Sequence, residues 1–331
     1  MILVIGDTHL DDNPANEYRW KVCDHIREAQ LKYKPEVVLH LGDAWDRKDR
    51  FTGEFVNRLI FELGMIGGIC PLLILKGNHD HPLHGPAFFE FINGRIPKVT
   101  YVTKTTTLCD KNGKGVKLIP FSLTMRDDLV AGPSWEGLHA GFTHLTVHGS
   151  ISESGFELKG FPSSELPQNI PFYSGDVHNP QTIRNLTYVG CPHPIKYGDK
   201  FTPRMLLLDD DYEIAEEIVL ETMRKMVIQV SSIEEVQLVT VAHGDMARIK
   251  INLDTKDIDR WGSIEAAVAK WAEANKVDVT GLEAIVQEPR VSGDVDAEIA
   301  PETILNLFAD EEGISDELVI LGQSLLAEAK A

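Results

Sequence analysis

Cysteine is scarce: the 331 residues hold four, at Cys23, Cys70, Cys109 and Cys191, with no Cys-x-x-Cys pair. That excludes a zinc ribbon and a disulfide framework and fits a reducing cytosol. Long hydrophobic runs are missing as well. No apolar stretch approaches the roughly 20 residues needed to cross a bilayer. The opening Met-Ile-Leu-Val-Ile-Gly lacks the basic start and small-residue cleavage site of an export signal. A cytoplasmic protein without a membrane role is therefore expected. Basic charge is short: 32 Lys+Arg stand against 51 Asp+Glu, a net charge of −19. The deficit is local, since residues 1–200 carry 21 basic against 23 acidic side chains and residues 201–331 carry 11 against 28. Phosphates repel the acidic last third, so any grip on nucleic acid must come from the first two thirds, a bound metal or a partner. No internal repeat or low-complexity tract stands out.

What is present is ordinary globular composition, 43% hydrophobic and 25% charged, in a length that suggests about two domains. Over the first 80 residues short apolar strands alternate with helical spacing. Strands are expected at Met1–Gly6, Pro35–Leu41 and Pro71–Leu75, and helices at Asn16–Lys34 and Phe51–Met65. That alternation implies a parallel sheet whose functional residues lie beyond the carboxyl ends of the strands. From Val99 onward strands follow one another, at Val99–Leu108, Gly115–Phe121, Leu138–Val147, Phe172–Asp176, Thr182–Val189 and Arg204–Leu208, as a second, mixed layer. Ser150–Pro167 reads as a long loop. Beyond a boundary near residue 222, strands at Met226–Val230, Ala247–Leu253 and Gly281–Gln287 and a helix at Ile258–Asn275 form a separate pattern, with Trp261 and Trp271 in its core. Short amphipathic helices are expected at Ile304–Phe308 and Leu318–Leu326.

The residues that carry chemistry follow the strands directly. Gly6-Asp7-Thr8-His9 comes after the first, Gly42-Asp43-Ala44-Trp45-Asp46-Arg47 after the second and Gly77-Asn78-His79-Asp80 after the third. Any one of these suits a turn or helix cap. Delivered together to one sheet edge, they gather the oxygen and imidazole donors that divalent metals need. Two more strand ends, Thr143-His144-Leu145-Thr146-Val147-His148-Gly149 and Ser174-Gly175-Asp176-Val177-His178-Asn179, add to the set.

This ordered set resembles the calcineurin-like metallophosphoesterases. Within them, Gly-Asp-x-x-Asp-Arg, Gly-Asn-His-Asp, His-Leu-Thr-Val-x-Gly and the Tyr188-Val-Gly-Cys-Pro-His-Pro run are similar to the SbcD-type nucleases of double-strand-break repair, a group that includes bacteriophage recombination endonuclease subunits. The likeness is strong over residues 1–205; beyond them only the layout of a small cap and a helical tail matches. It implies an α/β fold: a calcineurin-like β-sandwich flanked by helices over 1–222, a small α+β cap over 223–295 and a helical tail over 296–331.

It further implies two divalent ions, manganese foremost with magnesium the alternative. One would be held by Asp7, His9, Asp43 and His178 and the other by Asp43, Asn78, His144 and Asp176. His79 would position or protonate the leaving oxygen, a task imidazole suits because its charge changes nearest neutral pH. Asp46 and Asp80 would orient ligand imidazoles or backbone, with turn capping as the alternative. Read from the residues themselves, Arg47, Lys48 and Arg50 at the crevice lip are expected to meet substrate phosphate, with a solvated loop as the alternative, and His81 and His84, just after Gly-Asn-His-Asp, are placed to do the same. His40 and His139 alternate within apolar strands and are expected in the core or behind the ligands; His148 and His193 are given no role, and His243 is expected in a turn.

One position departs from the family, which usually carries Gly-His-x-His where this chain has Asp176. A ligand swap is expected, because a carboxylate serves manganese or magnesium well; a weakened second site and an inactive enzyme are the alternatives. Lys48 and Asp80 stand where phosphoprotein phosphatases of the superfamily carry Gly and Glu. The function implied is a DNA nuclease subunit, exonuclease and endonuclease, in recombination, repair or replication. Its partners would be DNA, an SbcC-like SMC-type ATPase that receives the tail, and a second copy in a homodimer. A small-substrate phosphodiesterase and a noncatalytic adaptor of the ATPase are the alternatives.

Overall fold

The computed structural model describes residues 1–82 and 85–287, without the side chains of 255–257 and 287. His84, the two tail helices and the docking tail over 296–331 lie outside the described residues. The chain divides into two compact units, residues 1–252 with 259–285, and residues 253–258 with 286–331.

In chain order the first unit runs β1 (Ile2–Ile5), α1 (Lys21–Tyr33), β2 (Val37–His40), α2 (Gly53–Ile69), β3 (Leu72–Leu75) and β4 (Val99–Val102). Next come β5 (Thr106–Cys109), β6 (Gly115–Ile119), α3 (Arg126–Leu129), β7 (Leu138–His144), β8 (Phe172–Gly175), β9 (Gln181–Ile183) and β10 (Leu186–Tyr188). They are followed by β11 (Arg204–Leu208), β12 (Ile214–Val219), β13 (Lys225–Val230), α4 (Ile233–Gln237), β14 (Met246–Asp254), α5 (Trp261–Asn275) and β15 (Asp278–Gln287). β14 and β15 end in the second unit.

Two mixed six-stranded sheets form a sandwich, ordered β12-β11-β1-β2-β3-β4 and β5-β6-β7-β8-β10-β9. Strand alternation explains the layering. Val4, Leu39, Leu75, Leu118, Phe142 and Leu206 meet between the sheets, while Leu3, Ile5, Val38 and Ile74 face the other way, onto Trp20, Ile26, Phe55 and Leu59 of the helical layer. A third cluster built on Trp135, Phe172, Leu186 and Tyr188 covers the outer side of the second sheet. The centres of both sheets are parallel: β1 to β4 in one, β6, β7, β8 and β10 in the other.

Two expected strands are in fact broken. The 99–108 segment crosses between sheets, leaving the first after Val102 and entering the second at Thr106. The 182–189 segment is a hairpin folded at Arg184 (φ 57°) and Asn185, whose side chain donates to the carbonyls of Pro167 and Ile170. Arg204–Leu208, expected in the second layer, instead pairs antiparallel with β1 in the first. β12 was not foreseen, because Ile-Ala-Glu-Glu-Ile-Val shows little apolar alternation and lies at an exposed edge. The remaining sheet, β13-β14-β15, holds the three strands expected after residue 222, and residues 223–252 share one compact unit with the sandwich. Trp271 is buried there, but Trp261 is half-exposed at the start of α5, its indole donating to Glu265.

Candidate metal centre

The carboxyl ends of β1, β2, β3, β7 and β8 open onto one crevice, and each contributes side chains to it. Tight packing of backbone sets their positions. A Cβ on Gly77 would stand 2.1 Å from Asp43 Oδ1, and one on Gly6 2.2 Å from the Gly190 carbonyl, so only glycine admits these approaches. His9, Asp43 and Asp176 all adopt left-handed backbone (φ 44°, 52° and 79°). Such strain persists only where surrounding structure enforces it, and it concentrates at functional sites.

Asp7, His9 and Asp43 are buried, with ligand atoms within 4.8 Å of one another. The two oxygens of Asp43 face different groups: Oδ1 is 3.4 Å from His144 Nε2, and Oδ2 is 3.9 Å from His9 Nε2. Asp43 thus stands between the two imidazoles. His144 Nδ1 lies 2.8 Å from the Leu41 carbonyl, which can only accept, so Nδ1 carries a proton and Nε2 is the nitrogen turned toward Asp43 and Asp176. This Nε2 is fully buried and has no hydrogen-bond partner, and neither has Asn78 Oδ1 nor His178 Nδ1. Buried acceptors without donors are costly in a protein and are the norm around a metal ion. His9 Nδ1 donates to Asp46 Oδ1 at 3.1 Å, so its Nε2 is the acceptor facing His178 Nε2 at 3.1 Å.

Asp176 stands inside this group. Its backbone N–H donates to Asp7, Asn78 Nδ2 donates to its Oδ1 at 3.0 Å, and the Thr146 hydroxyl donates to its Oδ2. His144 Nε2 is 3.7 Å from Oδ1. The carboxylate therefore lies among Asn78, Thr146 and His144. Thr146 is a neighbour not anticipated, although it lies within the quoted His-Leu-Thr-Val segment. Asp80 is buried and its Oδ2 accepts from the backbone N–H of both Asp43 (3.0 Å) and Gly77 (2.8 Å), locking two strand ends together.

The electrostatics are those of charge crowded out of water. Burial pushes the Asp7 carboxyl up to about 6, against the pull of His144. Burial together with the neighbouring Asp43 charge drives Asp80 well above the usual carboxylate range. Burial also opposes the charge of Asp43, but His144, His9 and His79 outweigh it and hold that carboxyl low. The hydrogen bond from His9 lowers Asp46. Burial works against the charge on His144, yet Asp43, Asp7 and Asp176 raise it well above an ordinary imidazole. Divalent cations offset such a concentration of carboxylates, and the donor set of oxygens and imidazoles fits them.

His79 sits at the half-exposed mouth, its ring 4.8 Å from that of His9. Its Nδ1 is 3.0 Å from the Asp46 carbonyl, so Nε2 is the nitrogen left to exchange a proton. Arg47 is half-exposed and pairs with Asp12 at 3.1 Å; Lys48 is exposed. His81 packs edge-on against Phe121, which in turn contacts His144. His40 lies behind the site, its Nε2 2.9 Å from the Thr8 hydroxyl. His139, expected in the core or behind the ligands, is exposed instead: it lies at the amino end of β7, the end away from the crevice. His148 is exposed beside Glu157, and His243 is an exposed turn residue. His193 is buried against Tyr18.

The sequence pattern of the calcineurin-like phosphoesterases matches residues 1–279, and the chain belongs to that family, whose members use divalent metals. Among curated proteins it is similar to "Exonuclease subunit 1" of Enterobacteria phage T4, with 25% identity over 215 residues, 61% of this chain and 62% of that protein. The match thus spans less than two thirds of that relative's length. Among the described residues no helix is long and apolar enough to cross a membrane.

Proposed function

We propose that the protein is a two-metal-dependent DNA nuclease subunit, with exonuclease and endonuclease activity, acting in DNA recombination, repair or replication. The observation that carries this is the convergence of Asp7, His9, Asp43, Asn78, His144, Asp176 and His178 on one crevice, with buried polar atoms of Asn78, His144 and His178 left without hydrogen-bond partners. The name of the phage T4 relative supports a DNA substrate and a complex partner.

Bound there, two divalent ions, manganese foremost and magnesium next, would activate water and neutralise charge on the transferring phosphoryl group. The chain's own part is positional. Asp43 holds the two ligand groups in register, Asp80 fixes the backbone that carries Asp43, and Asp46 orients His9. His79 Nε2 delivers the proton to the leaving oxygen, with Nδ1 tethered to the Asp46 carbonyl. Arg47, Lys48 and His81 border the mouth as phosphate contacts.

In this reading residues 1–222 form the nuclease domain, 223–295 the cap on the DNA side, and 296–331 the segment that docks an SbcC-like SMC-type ATPase in the cytoplasm. A homodimer belongs to the same proposal; Phe61, Met65 and Ile69, exposed at successive turns of α2, would support it.

The test is cleavage of end-labelled linear duplex DNA with manganese or magnesium. Manganese-dependent cleavage should fall 10²-fold or more, on the order of a lost general acid, in His79→Ala. Asp176→Ala should be severely impaired and Asp176→His should recover. Hydrolysis of a small phosphodiester but not of DNA, even with the ATPase present, would overturn the nuclease assignment. No hydrolysis of either substrate, restored in Asp176→His, would favour the adaptor.

A further inference from the structure

The sulfur of Cys191 lies in the crevice. Its Sγ and the ring nitrogens of His9 and His178 are within 4.8 Å of one another. A cation held there would take sulfur at about 2.3 Å and nitrogen at about 2.0 Å.

Burial alone would not mark this residue, since free cysteine is commonly a small core hydrophobe. Its surroundings differ from those of the other buried cysteines. Cys23 and Cys70 belong to the apolar cluster between the helices and the first sheet, whereas Cys191 is fully buried yet belongs to none of the three apolar clusters. The backbone also delivers it deliberately. Gly190 takes φ +82° in a place where a Cβ would strike Pro180 and the His178 carbonyl, and the Cys191 N–H donates to that same carbonyl at 3.0 Å. Gly190 in turn packs on Gly6, immediately before Asp7.

A second observation points to a cation here. With His9 Nδ1 committed to Asp46, the His9 Nε2 lone pair faces His178 Nε2 at 3.1 Å. Whichever His178 nitrogen carries the proton, its buried Nδ1 has no partner. Two imidazoles and a thiol therefore gather at one point of the crevice, where the buried His178 Nδ1 is left without a hydrogen-bond partner.

We propose that Cys191 is a metal ligand, joining His9 and His178 so that the first ion position carries sulfur and selects a borderline cation such as zinc or cobalt(II). The second position, with Asp43, Asn78, His144 and Asp176, offers only oxygen and nitrogen and keeps a hard ion such as manganese or magnesium. The centre is thus built for two different metals. On ion binding the S–H bond is replaced by a sulfur–metal bond and the proton passes to water. This inference rests on the two-metal reading above.

The experiment is titration of the metal-free full chain with cobalt(II) alone. An intense near-ultraviolet sulfur-to-cobalt charge-transfer band should grow with the visible cobalt bands in the wild type and in Cys23→Ser. In Cys191→Ser it should be absent while the visible bands remain. Visible bands without the charge-transfer band in the wild type, or a band unchanged in Cys191→Ser, would remove Cys191 from the centre and leave the two-metal reading standing. No cobalt spectrum at all would sink both. X-ray absorption at the zinc edge of the zinc-loaded wild type needs no variant: one sulfur at about 2.3 Å is expected, and a shell of nitrogen and oxygen alone overturns the proposal.

Discussion

His40 shows how a residue outside the ligand set governs the crevice. The Thr8 hydroxyl donates to the Ala44 carbonyl, so it accepts from His40 Nε2–H, and His40 Nδ1 accepts from the Gly42 N–H at 3.3 Å. One neutral imidazole thereby ties the first strand end to the second. Burial lowers its pKa from 6.5 to about 3, so the folded chain binds fewer protons than the unfolded chain between those values. The sign follows: the contribution of neutral His40 is intact above pH 6.5 and is lost as pH falls toward 3, by up to about 1 kcal/mol per pH unit. Denaturant melts of the metal-free protein between pH 7 and pH 4 should show this arm. His40→Gln, which keeps a donor for Thr8 but cannot titrate, should flatten it. An unchanged slope would show that His40 is not the titrating group.

At the scale of elements, the loops that end strands carry chemistry and the helices behind them carry stability, so substitutions in the two should separate. Gly77→Ala drives a methyl into the Asp43 carboxylate and backbone at 2.1–2.3 Å. Metal affinity should fall at least tenfold, by isothermal titration, because Asp43 must shift. Thr52→Ala removes the cap of α2, where the hydroxyl accepts from the Phe55 N–H at 3.1 Å. That should cost about 1 kcal/mol of stability and leave metal affinity intact. A Thr52 variant that lost metal would mean that α2 and the crevice are not separable.

Over the whole molecule, charge is the dominant asymmetry. The net −19 resides almost wholly beyond residue 200, while the crevice of the first 200 residues buries Asp7, Asp43 and Asp80. Cations that bind only the folded state stabilise it by mass action, about 2.7 kcal/mol at a concentration one hundred times Kd. Removing divalent ions with a chelator should therefore lower the melting temperature by several degrees, and manganese should restore it in a concentration-dependent way. In Asp43→Asn the chelator should have little further effect. Equal melting temperatures for the wild type with and without divalent ions would count against any resident metal.

Much of the centre was legible in the sequence because strand-end motifs are local. Gly6-Asp7, Gly42-Asp43 and Gly77-Asn78-His79-Asp80 each follow a short apolar run, and a parallel sheet must carry such ends to one edge. Alternation within β1 to β3 likewise set which side chains face the helices and which face the second sheet. What depended on distance in the chain was not legible. Arg204–Leu208 reads as a strand in any context, but only the assembled sandwich places it beside β1. The 99–108 run is rich in Val and Thr, which suit a strand throughout, and its break was decided by the need to cross from one sheet to the other. The same holds at the site. The sequence presented Asp176 as a substitution and Cys191 as one free thiol among four. Tertiary packing alone set the first between Asn78, Thr146 and His144 and brought the second to His9 and His178, since those neighbours lie up to 182 residues away along the chain.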